Sequence, residues 1–300
     1  MIHIAYHESY RHELPDNHKF PMKKYSELAK RLVEQNIYTP SNFFVPNIME
    51  EEILYLTHDT EYIERAKTLR LEKAEARRLG FPQSNELYER ELRIAYGTLH
   101  GAELALQDGL SFNIAGGTHH AFTNKGEGFC MFNDIAVSAN YLINKGLIRK
   151  ALVIDLDVHQ GNGTAEIFTN NPSVFTFSVH GKNNYPVKKE ISDLDIELDD
   201  LTGDEEYLNI VAENVPKLIA VEKPDIVYYI AGADILETDK FGRLSVSIAG
   251  AKRRDEIVFG ECKRHELPVM CVMGGGYSKD LEVILETHLN TFKVGKEYYS

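Results

Sequence analysis

Short apolar runs alternate along this chain with longer stretches whose apolar positions recur every three or four residues. Six runs read as strands: Ile2–Tyr6, Phe112–Ala115, Ala151–Ile154, Val174–Phe177, Asp225–Ile230 and Val269–Met273. Several are rich in Val and Ile with little alternation, the pattern of strands covered on both faces. Seven stretches read as helices: Met22–Asn36, Thr60–Leu69, Glu86–Gln107, Asp134–Lys145, Glu206–Val221, Ile248–His265 and Leu281–Phe292. Strand and helix alternating in this order predict an α/β fold, a three-layer α/β/α arrangement around a mainly parallel sheet. Residues 57–90 are more charged and less regular, and read as helices and loops outside that sheet. No repeat, linker or change of composition marks a boundary, so residues 1–300 are expected to form one domain.

Composition narrows the class. A 43% hydrophobic fraction is ample for a core, and 26% charged residues exclude a fibrous chain. No apolar run approaches the ~20 residues that span a bilayer, so no membrane is expected as partner. The N-terminal Met1–Tyr6 lacks the basic flank and apolar stretch of a signal peptide. Three cysteines without CxxC spacing argue against a disulfide framework or a thiolate zinc site, and a cytoplasmic location is the expectation. The 33 Lys+Arg against 46 Asp+Glu leave a net charge of −13, with no basic patch for nucleic acid. Such a field favours cationic ligands; the plainer reading is solubility. Composition sets no oligomeric state.

The candidate chemistry sits where strands end. In open α/β sheets, ligands bind beyond the carboxyl ends of the strands. Five predicted strands lead into Gly116–Ala121 (GGTHHA), Asp155–Gly163 (DLDVHQGNG), Ser178–His180 (SVH), Ala231–Asp234 (AGAD) and Gly274–Tyr277 (GGGY). One polar glycine-rich end is routine; five suggest a shared site. Asp157 and His159, two residues apart, can reach one ion, and Asp234 could add a third ligand. Two carboxylates and an imidazole suit Zn²⁺ or Fe²⁺ and leave a position open for water and substrate. An isolated DxH more often caps a helix; the company it keeps here reverses that. His119 and His120 supply side chains poised to act as a base near neutral pH. Asp155 could orient one imidazole, and Tyr277 could donate to a developing oxyanion. The glycines before Tyr277 lack the Lys-Ser/Thr of a phosphate loop.

Together with Gly126–Asp134 (GEGFCMFND), these motifs occur in an order that resembles the metal-dependent histone deacetylase family. That family includes acetoin-utilisation-type proteins and acetylpolyamine amidohydrolases. The resemblance runs from His7 to Tyr277; with Gln160 and Asn162, the short chain looks most like class IV and its bacterial relatives. It implies an arginase-like fold, with Asp157, His159 and Asp234 on Zn²⁺ and Fe²⁺ as the alternative. It implies His120 as general base, His119 as its electrostatic partner, Asp155 bonded to His119, and Tyr277 on the substrate carbonyl. Gly128 and Phe129 match one wall of an acyl-lysine tunnel, and Tyr185, where many members carry Phe, the other. A structural K⁺ would use Asp155, Asp157, His159, Ser178 and Val179. A second would lie near Phe168 and Val174. Asn162 stands where many members have Asp, so His120 should be the weaker base.

The expected activity is zinc-dependent hydrolysis of N-acyl-lysine, acetyl or longer fatty acyl, in proteins or peptides. The alternative substrate is an acetylpolyamine or other small acylated amine. A binding module of the same fold would lack a ligand or the tyrosine, and none is missing here. An arginase-like ureohydrolase would need a two-metal cluster that DLDVH does not supply.

Overall fold

The structure is a computed structural model and describes residues 1–300. Eight strands form its sheet: β1 His3–Ala5, β2 Phe43–Phe44, β3 Leu110–Asn113, β4 Ala151–Asp155, β5 Val174–Gly181, β6 Leu194–Leu198, β7 Ile226–Ile230 and β8 Val269–Val272. Their order is β2-β1-β3-β8-β7-β4-β5-β6, and every pair is parallel. The central strands β3, β8, β7 and β4 are buried at every position, which explains the near-continuous apolar runs of β8, β7 and β4; β3 also buries Ser111 and Asn113.

Ten helices accompany the sheet: α1 Lys23–Glu34, α2 Glu51–Leu54, α3 Thr60–Lys67, α4 Lys73–Leu79, α5 Asn85–Asp108, α6 Asp134–Asn144, α7 Asn162–Ile167, α8 Asp204–Glu222, α9 Ile248–Arg264 and α10 Leu281–Tyr299. Local chemistry starts and stops them. Ser84 Oγ accepts the Leu87 N–H to cap α5, and Asn133 and Ser247 cap α6 and α9 in the same way. Gly80 ends α4 at φ +81°, a conformation that favours glycine. Two packed groups, α5 with α6 and α8 with α9 and α10, bury one continuous apolar cluster against the sheet. No helix is long and apolar enough to cross a membrane.

Six strand and seven helix expectations correspond to elements here, with shifted ends. β3 starts and ends two residues early: Ile114 and Ala115 are buried and apolar but already lead into the glycine turn. β5 runs on through Ser178, Val179 and His180, because β6 pairs with it there. The sequence pattern missed β6 because it is a partly exposed edge strand with two acidic residues. β2 and α2, α4 and α7 are too short to show a period. The helix expected to end at Phe292 continues to Tyr299. An all-parallel sheet puts every strand's carboxyl end on one edge. The adjacency of β3, β8, β7, β4 and β5 then makes their following loops neighbours.

Candidate active site

Asp157 and His159 follow β4, and Asp234 follows β7. All three are buried, with one ligand atom from each lying within 4.8 Å of the others. His159 Nδ1 is 3.0 Å from Asp157 Oδ1 and 3.1 Å from Asp234 Oδ2. Each carboxylate spends its other oxygen on backbone. Asp157 Oδ2 accepts the Gly275 N–H at 2.7 Å, and Asp234 Oδ1 accepts the Val158 N–H at 3.0 Å. The three remaining atoms converge at separations comparable to those of ligands ~2.0–2.2 Å from one ion. This O, N, O donor set fits a divalent cation.

Glycine makes the approach possible: a Cβ on Gly275 would stand 1.8 Å from Asp234 Oδ2. From behind, the buried Arg254 of α9 donates to Gly232 O at 2.6 Å and to Leu156 O at 3.4 Å, tying both ligand loops together. Buried Lys24 donates to Gly274 O at 3.1 Å. Burial draws its ammonium down to about 8 against the pull of Asp234 and Asp157.

Charge is poorly balanced within the cluster. Burial alone would lower the His159 imidazole, but its bonds to Asp157 and Asp234 outweigh that and lift it to about 10. Burial and the charge of Asp157 push Asp234 up to about 7. Burial opposes ionisation of Asp157, but the charge of His119 and the bond to His159 hold its carboxyl well below the usual range. The cluster's proton therefore sits on His159, and a divalent cation bound there would displace it.

The two adjacent histidines separate into different states. His119 Nδ1 lies 2.6 Å from Asp155 Oδ2. Burial opposes its charge, but Asp155 and Asp157 overcome this and raise it to about 9. His120 Nδ1 lies 2.6 Å from Asn162 Oδ1. Burial first, then the charges of His119 and His159, hold His120 well below its ordinary value. One imidazole of the pair therefore carries a proton while the other can accept one, an arrangement suited to acid–base work.

Behind Asn162 stands a residue that the motif reading passed over. Buried Glu127 accepts from Asn162 Nδ2 and from the Tyr185 hydroxyl through Oε1, both at 2.8 Å, and pairs with Lys125 at 3.4 Å. A carboxylate thus stands one side chain beyond Asn162 rather than at position 162 itself. Glu127 occupied an unassigned place within Gly126–Asp134; only the fold brings it to Asn162.

Tyr277 is almost fully buried, its ring packed by Phe20, Phe129 and Phe241 at centroid distances of 5.8, 6.1 and 4.9 Å. Its N–H donates to Asp239 Oδ2 at 2.6 Å, a second contact that the motifs did not disclose. Burial and the charges of Asp234 and Asp157 keep the phenol protonated. Gly128 and Phe129 form the centre of a tight turn, at φ +58° and +68°, closed by Cys130 N–H to Glu127 O at 3.0 Å. A Cβ on Gly128 would come 2.6 Å from His120 Cδ2. Tyr185 faces His120 across 4.9 Å.

Two cavities meet these groups. The inner one, about 40 Å³, reaches Phe20, Tyr25 and Arg90 beneath Tyr277 and His120. The outer one, about 470 Å³, opens past Phe129, Tyr185 and Phe241. The remaining predicted residues lie alongside: Asp155 pairs in register with Ser178, and Val179 follows it. His7 caps the one-turn helix Glu8–Tyr10 and lines neither cavity. His58 is a packed histidine, bonded to Phe122 O and the Asn133 N–H.

Comparison with known proteins agrees with this geometry. Residues 18–292 match the histone deacetylase domain. Histone deacetylase 2 of Arabidopsis thaliana is 29% identical over 87% of this chain and 70% of its own. A Picosynechococcus protein with no function attached is 38% identical, covering 99% of each chain. The crystal structure of a histone deacetylase homologue from Aquifex aeolicus superposes with a TM-score of 0.82 at 21% identity, over 98% of this chain and 84% of that one. A parallel α/β sheet with a buried Asp–His–Asp cluster at its carboxyl edge places the chain among the arginase/deacetylase-fold proteins. Within that class it belongs to the histone deacetylase family and is a hydrolase of that family.

Proposed function

We propose that this chain is a divalent-metal deacylase of N-acyl-lysine in peptides or proteins, acting as one catalytic domain over residues 1–300. The observation that carries this reading is the convergence of three kinds of group at the tunnel base: the Asp157–His159–Asp234 cluster, the split His119–His120 pair and the Tyr277 phenol. Zn²⁺ is the metal that this donor set suits, with Fe²⁺ as alternative; when bound, it supplies a Lewis acid for the carbonyl and lowers the pKa of water. His120, its Nδ1 engaged by Asn162, takes the proton of the attacking water at Nε2. Tyr277 donates its hydroxyl to the carbonyl oxygen as charge gathers there. The lysine amine departs with a proton from His120 or His119, leaving a carboxylate. Phe129 and Tyr185 flank the lysine stem, and the backbone of Gly128 receives the amide N–H. The resemblance also supports a structural K⁺ at Asp155, Asp157, His159, Ser178 and Val179, and the class IV likeness of Gln160 and Asn162.

Acyl length follows from space. The inner cavity of about 40 Å³ has room for roughly three waters. An acetyl group fits; a fatty chain would have to displace packed aromatic rings. The deciding experiment is metal analysis with a chelator-reversible assay on acetyl, decanoyl and myristoyl peptides. Activity should vanish with chelator, return with Zn²⁺ or Fe²⁺, and favour acetyl by more than about tenfold. Preference for myristoyl would reject the space argument; chelator-insensitive turnover would reject the metal.

Glu127 alters what Asn162→Asp should do. An aspartate there would set a second carboxylate against Glu127 Oε1, which now accepts from Asn162 Nδ2. The single variant should lose at least about tenfold in kcat at pH 7, because one carboxylate must leave or take up a proton. Asn162→Asp with Glu127→Gln should recover activity. Its negative charge beside His120 raises that imidazole's pKa, so the acid limb of the pH–rate profile should move to higher pH. No loss in the single variant and no shift in the double would remove both residues from the proton path.

A further inference from the structure

We propose that the tunnel mouth selects an acyl-lysine flanked by negative charge, an acidic peptide rather than a basic tail or a polyamine. This rests on the deacylase reading of the site. Arg77 and Arg78 line the outer cavity beside Phe129, Tyr185, Phe241 and Tyr277, and no carboxylate lines it. Both arginines are exposed, and neither side chain makes a hydrogen bond or an ion pair with the protein.

Their place at the mouth is built in. The Gly128 N–H donates to Arg78 O at 2.9 Å and the Phe129 N–H to Leu79 O at 2.8 Å, so the end of α4 is bonded to the tunnel wall itself. The ring nitrogen of His18 meets Gly80 O at 2.8 Å and fixes the next residue. Arginines in a last helical turn also complement the helix dipole. That accounts for their charge on α4; Arg78 also acts on Glu75 through its charge, but neither guanidinium has a hydrogen-bonded or ion-paired partner. A third cation, Lys19, lies 5.8 Å from the Phe241 ring.

Arg78 also borders a separate cleft with Asp59, Glu61 and Glu75, of which Glu61 and Glu75 are bonded to Arg65. The carboxylates nearest the outer cavity are engaged. Glu75 is bonded to Arg65 at 2.9 Å. Glu127 is buried beneath the wall among Asn162, Tyr185 and Lys125. Asp239 accepts three backbone N–H groups, from Phe241, Gly242 and Tyr277. The net charge of −13 would draw cations from a distance. Salt screens that field over ~8–10 Å, whereas a bound peptide meets the two guanidiniums at contact range.

The test compares acetyl-lysine peptides of one length with Glu, Gln or Lys on both flanks, together with N-acetylputrescine, on the metal-loaded full chain. An exposed ion pair is worth at most about fivefold, so two should give the Glu peptide roughly a tenfold advantage in kcat/KM over the Lys peptide. That advantage should shrink at high salt. Arg77→Gln with Arg78→Gln should flatten the ratio, and Arg77→Glu with Arg78→Glu should invert it. Equal rates for the Glu and Lys peptides, an unchanged ratio in the reversed variant, or acetylputrescine as the better substrate would overturn the selection while leaving deacylation standing. No turnover of any acylated substrate by metal-loaded protein would overturn the deacylase reading, and the selection with it.

Discussion

Asp234→Ala should purify without bound divalent ion and hydrolyse acyl-lysine at least about a thousandfold more slowly than the parent. Asp234 contributes one of only three converging ligand atoms, and its other oxygen holds the Val158 N–H at 3.0 Å. Alanine removes both, leaving a buried N–H unpaired at a cost of about 1–3 kcal/mol. Loss of activity alone could then reflect a loosened loop. Asp234→Asn separates the two effects: it keeps an acceptor for Val158 and removes the charge. The expected result is a melting temperature near that of the metal-free parent, with metal content still close to zero. Full metal occupancy in both variants, measured by elemental analysis, would remove Asp234 from the ligand set.

Tyr277→Phe should do the opposite: keep the metal and lose turnover. The ring is held by Phe20, Phe129 and Phe241, and the backbone by Asp239, so phenylalanine can occupy the same space. What disappears is one hydroxyl, the donor proposed above for the charge that develops during amide cleavage. Removing such a donor costs on the order of 10²–10³ in kcat, with KM little changed, because the bond strengthens only in the transition state. Since burial and two neighbouring carboxylates hold the phenol well above its ordinary value, Tyr277 should contribute no basic limb to the wild-type pH–rate profile. Unchanged kcat in the metal-replete variant would end this role.

The residues that the motifs singled out lie where strand-end reasoning expects them. Asp157, His159 and Asp234 meet within bonding reach of one ion, and His119 and His120 stand against Asp155 and Asn162. What sequence reasoning missed shares one character. Glu127, Asp239 and Lys24 bond partners distant in the chain, and Arg77 and Arg78 reach the outer cavity because the backbone of Gly128 and Phe129 bonds the end of α4; none of this belongs to a local period. Residues 57–90 were expected to pack outside the sheet. They do, yet α4 within them also forms part of the tunnel mouth.

From composition and pattern alone came the parallel α/β class, the buried strands and the conjunction of Gly, His, Asp and Tyr at their ends. These are legible because burial on both faces leaves an apolar run, and because a parallel sheet gathers all its carboxyl ends on one edge. Tertiary structure alone decided which strands are neighbours, how much space lies beneath Tyr277, that Asn162 leans on Glu127, and that Arg77 and Arg78 line the outer cavity. Such adjacencies come from helices and loops packing across long separations, where neither propensity nor spacing carries a signal.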